Sequence, residues 1–166
     1  MSNLAFMSEA YQESSQAAYA IPFVLQILCM GIIIPITEEL IFRGVLYRRF
    51  REKSTFFPAA LAVSLLFGWS HGNIVQLIYG VGLGMLLVYV YEKYGSLKAP
   101  ILLHVTANLV SIMITETKVL AWLCSSFMRM AGTVILCAFA GAVLFVLIQK
   151  IDEKPENVQD LKDTDM

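Results

Sequence analysis

Charged side chains are missing from long stretches of this chain. None occurs from Ile21 to Thr37, none between Lys53 and Glu92, and none from Met130 to Gln149. About 20 consecutive apolar residues suffice to cross a bilayer as a helix, so these runs read as successive membrane helices. The first extends from about Pro22 through Glu38 and Glu39 to Arg49, with a kink at Pro35, because an interior proline loses a hydrogen bond. A second runs from about Pro58, at an N-terminal position that tolerates proline, to His71, before a Gly72-Asn73 turn. A third covers Ile74–Tyr91, where Gly80, Gly82 and Gly84 suit close helix packing in lipid. A fourth runs from about Pro100 to Thr115, and the last from Met130 to Gln149. The intervening stretch, Val119–Met128, is too short to span. The pattern predicts an all-α fold: a multi-pass transmembrane bundle of about four spanning helices plus a short interfacial or re-entrant segment.

Composition agrees with the pattern. The chain is 58% hydrophobic and 15% charged, with mean hydropathy +0.69, far from the roughly 25% charged residues of soluble domains. Residues 1–20 read as an interfacial or flexible lead-in, residues 21–150 as the membrane core, and residues 151–166, polar and acidic, as a disordered tail. The basic residues make no nucleic-acid footprint; the expected partners are the bilayer and a hydrophobic or lipidated peptide substrate. Arg48, Arg49, Arg51 and Lys53, then Lys93 and Lys98, then Lys150 and Lys154 fall on one side if Val119–Met128 does not cross. The positive-inside rule makes that side cytoplasmic, which predicts a cell-membrane protein with its C-terminus in the cytoplasm. Cys29, Cys124 and Cys137 have neither metal-site spacing nor an even count, and read as small buried hydrophobes.

Candidate chemistry lies inside the apolar runs, in Glu38-Glu39-Leu-Ile-Phe-Arg43, Phe67-Gly-Trp-Ser-His71 and His104-Val-Thr-Ala-Asn108. An ionisable residue at membrane depth is costly and marks a function by default. Residues four apart share a helix face, so Glu39 can pair with Arg43, and His104 and Asn108 point the same way. Glu38 is turned about 100° from Glu39, leaving one carboxylate for Arg43 and the other for a different space, where it could act as a base towards water. Each group also has a structural reading: a buried ion pair for Glu39–Arg43, an interhelical clamp for His104–Asn108, a headgroup-level side chain for His71. Together they can supply a base, a second acid/base and an oxyanion donor. No H-E-x-x-H helix, G-x-S-x-G elbow or phosphate loop is present. No cofactor is expected, although His71, His104 and Glu38 are the residue types of a catalytic zinc site.

The ordered trio E-E-x-x-x-R, F-x-x-x-H and H-x-x-x-N, covering about Gly31 to Asn108, resembles the CPBP family. That family comprises CAAX prenyl endopeptidases and bacteriocin-processing or self-immunity (Abi) proteins. The resemblance implies an intramembrane endopeptidase that hydrolyses a peptide bond of a membrane-associated substrate, CAAX-type or bacteriocin-related. Glu38 would activate water with help from His71. His104 and Asn108 would stabilise the oxyanion, while Glu39 and Arg43 organise the site and Phe67 packs the motif. A metal-free glutamic mechanism is favoured over a metal-dependent one. Family members usually carry further helices before the double glutamate, where this chain has one apolar run. The alternative is a non-proteolytic immunity or interaction protein of the same fold; a proton-coupled transporter with Glu38 as carrier is a weaker reading.

Overall fold

The computed structural model describes residues 3–150. The tail expected at 151–166 lies outside the described residues. Every described element is helical: α1 (Asn3–Tyr19), α2 (Phe23–Lys53), α3 (Phe56–Trp69), α4 (Ile74–Tyr94), α5 (Lys98–Glu116), α6 (Val119–Cys124) and α7 (Phe127–Lys150). Among the described residues, four stretches are long and apolar enough to cross a membrane: Phe23–Lys53, Ile74–Tyr94, Lys98–Glu116 and Phe127–Leu144. The chain is a multi-pass integral membrane protein. The stretch expected to pass from about Pro58 to His71 is the exception. With 14 residues, α3 reaches about 21 Å, short of a hydrocarbon core of about 30 Å.

Helix α2 runs through Pro35 without a break. It does so by changing register: Gln26–Ile33 and Leu40–Tyr47 are π-helical, on either side of α-helical Ile34–Glu39. The Ile34 N–H bonds to the Cys29 carbonyl, five residues back. The next donor in that register would be residue 35, a proline, which has no N–H. The π run therefore ends there and the tighter helix takes over. Short π segments inside helices frequently accompany functional sites.

Small residues bring α3 and α4 together. A Cβ on Gly68 would stand 2.7 Å from the Leu77 carbonyl oxygen, one on Gly80 3.0 Å from the Gly68 Cα, and one on Gly84 2.9 Å from the Ser64 Cβ. Gly82, between them, has nothing within 4 Å. The Gly80–Gly84 spacing thus packs the chain on itself, as small residues do where lipid offers no hydrophobic drive for helix association. Tyr47, Ala59, Ala60, Val63, Val88 and Tyr91 form the core under this hairpin.

Polar ties close both ends. Tyr47 donates from its hydroxyl to Glu92 Oε2 at 2.7 Å, and Arg51 Nε donates to Glu92 Oε1 at 2.9 Å. At the opposite end of α2, buried Gln26 donates from Nε2 to the Ile21 carbonyl at 3.0 Å and to Glu116 Oε1 at 2.9 Å. The expected lead-in is helical as α1, which packs on α4. Helix α7 contacts α6, and over Phe127–Leu144 its side chains are not buried by the rest of the described chain. Cys137, on α7, is accordingly exposed rather than buried, and Cys29 is half-buried.

Candidate active site

Glu39 and Arg43 are completely buried where α2 meets α4 and α5. Their four-residue spacing holds across the junction between α and π registers. Arg43 donates from Nη1 to Glu39 Oε1 at 2.7 Å and from Nη2 to the Gly84 carbonyl at 3.1 Å. The guanidinium also lies 4.8 Å from the centre of the Phe67 ring, close enough for a cation–π contact.

The same Glu39 oxygen accepts from His104 Nδ1 at 2.8 Å. Glu39 is thereby committed on two sides, and His104 is fixed with its Nε2 pointing away. Glu38, one residue earlier, is left differently. Its side chain is 22% exposed, and its Oε2 lies 3.6 Å from His104 Nε2. Adjacent carboxylates thus have separate duties: one holds the histidine from behind while the other faces the free edge of the same ring.

His71 follows the end of α3. Its backbone N–H bonds to the Gly68 carbonyl, three residues back, so it does not take the Phe67 carbonyl that a continuing α-helix would assign it. His71 Nδ1 donates to that freed oxygen at 2.8 Å, and the Ser70 hydroxyl donates to it at 2.7 Å. A carbonyl can only accept, so the Nδ1–H tautomer is set and Nε2 is turned outward. Phe67 touches both imidazoles edge-on, with ring centres 5.1 Å from His71 and 5.6 Å from His104. Glu38 also lies within electrostatic reach of both rings.

Asn108, one turn beyond His104, donates from Nδ2 to the Met30 carbonyl at 3.1 Å. Its amide keeps a second N–H. The structure therefore links Glu39, Arg43, Phe67, His71 and His104 through direct contacts, sets Glu38 beside His104, and ties Asn108 to the Met30 carbonyl. Sequence reasoning did not identify the Gly84 and Met30 carbonyls; the signals present were the Gly80–Gly84 spacing and the missing N–H of Pro35.

A zinc on His71, His104 and Glu38 requires the three donors to converge. Both imidazoles spend Nδ1 on an acceptor and leave Nε2 open, as metal-ligating histidines commonly do. Yet among the described residues no three His, Cys, Asp or Glu side chains come together to hold a metal. As placed, these residues do not fit a zinc.

A helical membrane protein in which a buried glutamate–arginine pair on one helix is bound by a histidine from another defines the class. Over residues 20–110 the chain matches the family model described as type II CAAX prenyl endopeptidase Rce1-like. It belongs to that family, within the CPBP proteins. The protein named "Putative membrane peptidase YdiL" of Bacillus subtilis (strain 168) is 32% identical over 101 residues, covering 61% of this chain and 41% of that protein. An "Uncharacterized 24.3 kDa protein" of Escherichia coli is 30% identical over 116 residues, covering 66% of this chain and 54% of that protein. The chain thus spans about half the length of these curated relatives. No solved structure matches it.

Proposed function

We propose that the chain acts as an intramembrane endopeptidase with Glu38 as the base that activates water. The observation that carries this reading is the division between the carboxylates: Glu39 is fully buried and bound to Arg43 and His104, whereas Glu38 is partly exposed beside His104 Nε2. Glu38 takes a proton from water as the water oxygen attacks the scissile carbonyl, and later returns it to the leaving amine. His71, with Nδ1–H committed to Phe67, offers Nε2 as an acceptor to the same water. The free N–H of Asn108 and Nε2 of His104 stabilise the oxyanion; His104 donates there when its ring carries both protons.

The substrate is a peptide bond of a membrane-associated protein, CAAX-type or bacteriocin-related. Family membership and similarity to the Bacillus subtilis protein named "Putative membrane peptidase YdiL" support this class. The basic run Arg48–Lys53 supports a cell-membrane location with the C-terminus in the cytoplasm. The test incubates purified protein with a library of membrane peptides, farnesylated CAAX peptides included, and reads products by mass spectrometry. The parent should cleave and Glu38→Gln should lose activity by orders of magnitude while staying folded. A folded parent that cleaves nothing would instead favour a binding or immunity protein.

A further inference from the structure

The Met30 carbonyl, which holds Asn108, lacks both backbone donors a helix could offer it. In the four-residue register its donor would be Ile34, whose N–H goes to Cys29. In the five-residue register it would be residue 35, and Pro35 has no N–H. A half-buried carbonyl without a partner is still costly away from water, and the nearby Asn108 amide fills the role at 3.1 Å. Close approach of α5 makes this contact feasible: a Cβ on Gly31 would lie 2.5 Å from Leu109 Cδ2. Pro35 itself is fully buried and takes no part in the chemistry.

We propose that Pro35 is a positioning residue for Asn108: by withholding a backbone donor from the Met30 carbonyl, it leaves that oxygen to orient the Asn108 amide towards the reacting carbonyl. The inference rests on the reading of Asn108 as an oxyanion donor. Met30 accepts one N–H of the amide, which fixes the amide plane and aims the second N–H. An N–H at position 35 would compete for the same oxygen and release the side chain. Misplacing a catalytic group by about 1 Å can lower a rate by up to roughly a hundredfold.

The experiment compares Pro35→Ala with a variant carrying lactic acid at position 35, which has alanine's methyl group but an ester oxygen in place of N–H. Two readouts are taken: kcat and KM on a peptide the parent cleaves, and the side-chain amide signals of protein labelled with 15N-asparagine, which contains only four asparagines. Pro35→Ala should lower kcat roughly ten- to hundredfold with KM held, and should shift the Asn108 signals without lowering the melting temperature. The lactic acid variant should retain both the parent's kcat and its Asn108 signals. In an Asn108→Ala background, Pro35→Ala should cost little more. Asn108 signals unchanged by Pro35→Ala, or an ester variant that behaves like alanine, would overturn the proposal. Should alanine at position 35 prevent folding, the ester variant alone decides, by keeping or losing the parent's Asn108 signals. If the parent cleaves no peptide, the endopeptidase reading fails, while the amide signals still test the role of Pro35.

Discussion

Replacing Arg43 by methionine would remove the arginine bound to Glu39 while keeping an unbranched side chain in its place. The structure sets the size of the effect. Arg43 makes two charge-assisted hydrogen bonds, to Glu39 Oε1 and the Gly84 carbonyl, and covers the Phe67 ring. Hydrogen bonds to charged groups contribute about 1.5–3 kcal/mol each, and removing one partner of a buried pair typically costs about 3–5 kcal/mol. The two figures agree. At about 1.4 kcal/mol per decade, Arg43→Met should shift the folding equilibrium by roughly two to three and a half decades.

The reasoning holds that most of this loss comes from stranding the Glu39 charge. Glu39→Gln/Arg43→Met should therefore recover most of it, because no unpaired charge remains and the amide oxygen of the introduced glutamine can still accept from His104 Nδ1. Glu39→Gln alone should be costly, since it strands Arg43 instead. Unfolding by sodium dodecyl sulfate in mixed micelles, followed through the fluorescence of Trp69 and Trp122, gives all four corners of the cycle. If the two single costs simply add in the double variant, the residues are uncoupled and the ion-pair account is wrong.

Gly68→Ala should destabilise by about 1–3 kcal/mol, because its Cβ would meet a backbone oxygen at 2.7 Å. Gly82→Ala, with open space around it, should be neutral or stabilising by up to about 1 kcal/mol; the same unfolding assay separates the two. Tyr47→Phe removes the hydroxyl that donates to Glu92, and a loss of about 1–2 kcal/mol is expected, with no change if the tie contributes nothing. Ser70→Cys, in protein lacking the three native cysteines, should react with small charged thiosulfonates in intact membranes. Reaction only with membrane-soluble reagents would refute water access to that turn.

Much of the bundle is legible in the sequence because its cause is local. Uncharged runs gave the helices α2, α4, α5 and α7, and the four-residue spacing of Glu39 and Arg43 gave their ion pair. The register change in α2 was not legible, since no side-chain pattern distinguishes a π turn from an α turn in a uniformly apolar stretch. Nor was the bond from His104 to Glu39, which joins residues 65 positions apart. The adjacency of Glu38 and Glu39 implied two environments; which carboxylate each partner would hold depended on how α5 approaches α2. Gly80 and Gly84 illustrate the same limit. Their spacing marked a packing face, but only the placement of Ser64 and Gly68 shows that the face is used within the chain.

The short α3 matters beyond the count of spanning helices. Its first residue follows the basic run Arg48–Lys53, which belongs at headgroup level. About 21 Å of helix then ends inside a hydrocarbon layer of about 30 Å, and the chain turns at Ser70–Asn73. Irregular backbone at that depth persists only where it is buried in protein or lines a water-filled cavity. Among the described residues nothing buries Ser70 and Gly72, which are exposed, and Gly72, with φ of 76°, shapes the turn. The N–H groups of Ser70, His71 and Gly72 bond back to the Leu66, Gly68 and Trp69 carbonyls. A water-lined recess there would place solvent beside His71, within electrostatic reach of Glu38, where hydrolysis requires it. On this argument, ending α3 early serves two purposes: it frees the Phe67 carbonyl that orients His71, and it opens a route for the water that the proposed mechanism assigns to Glu38.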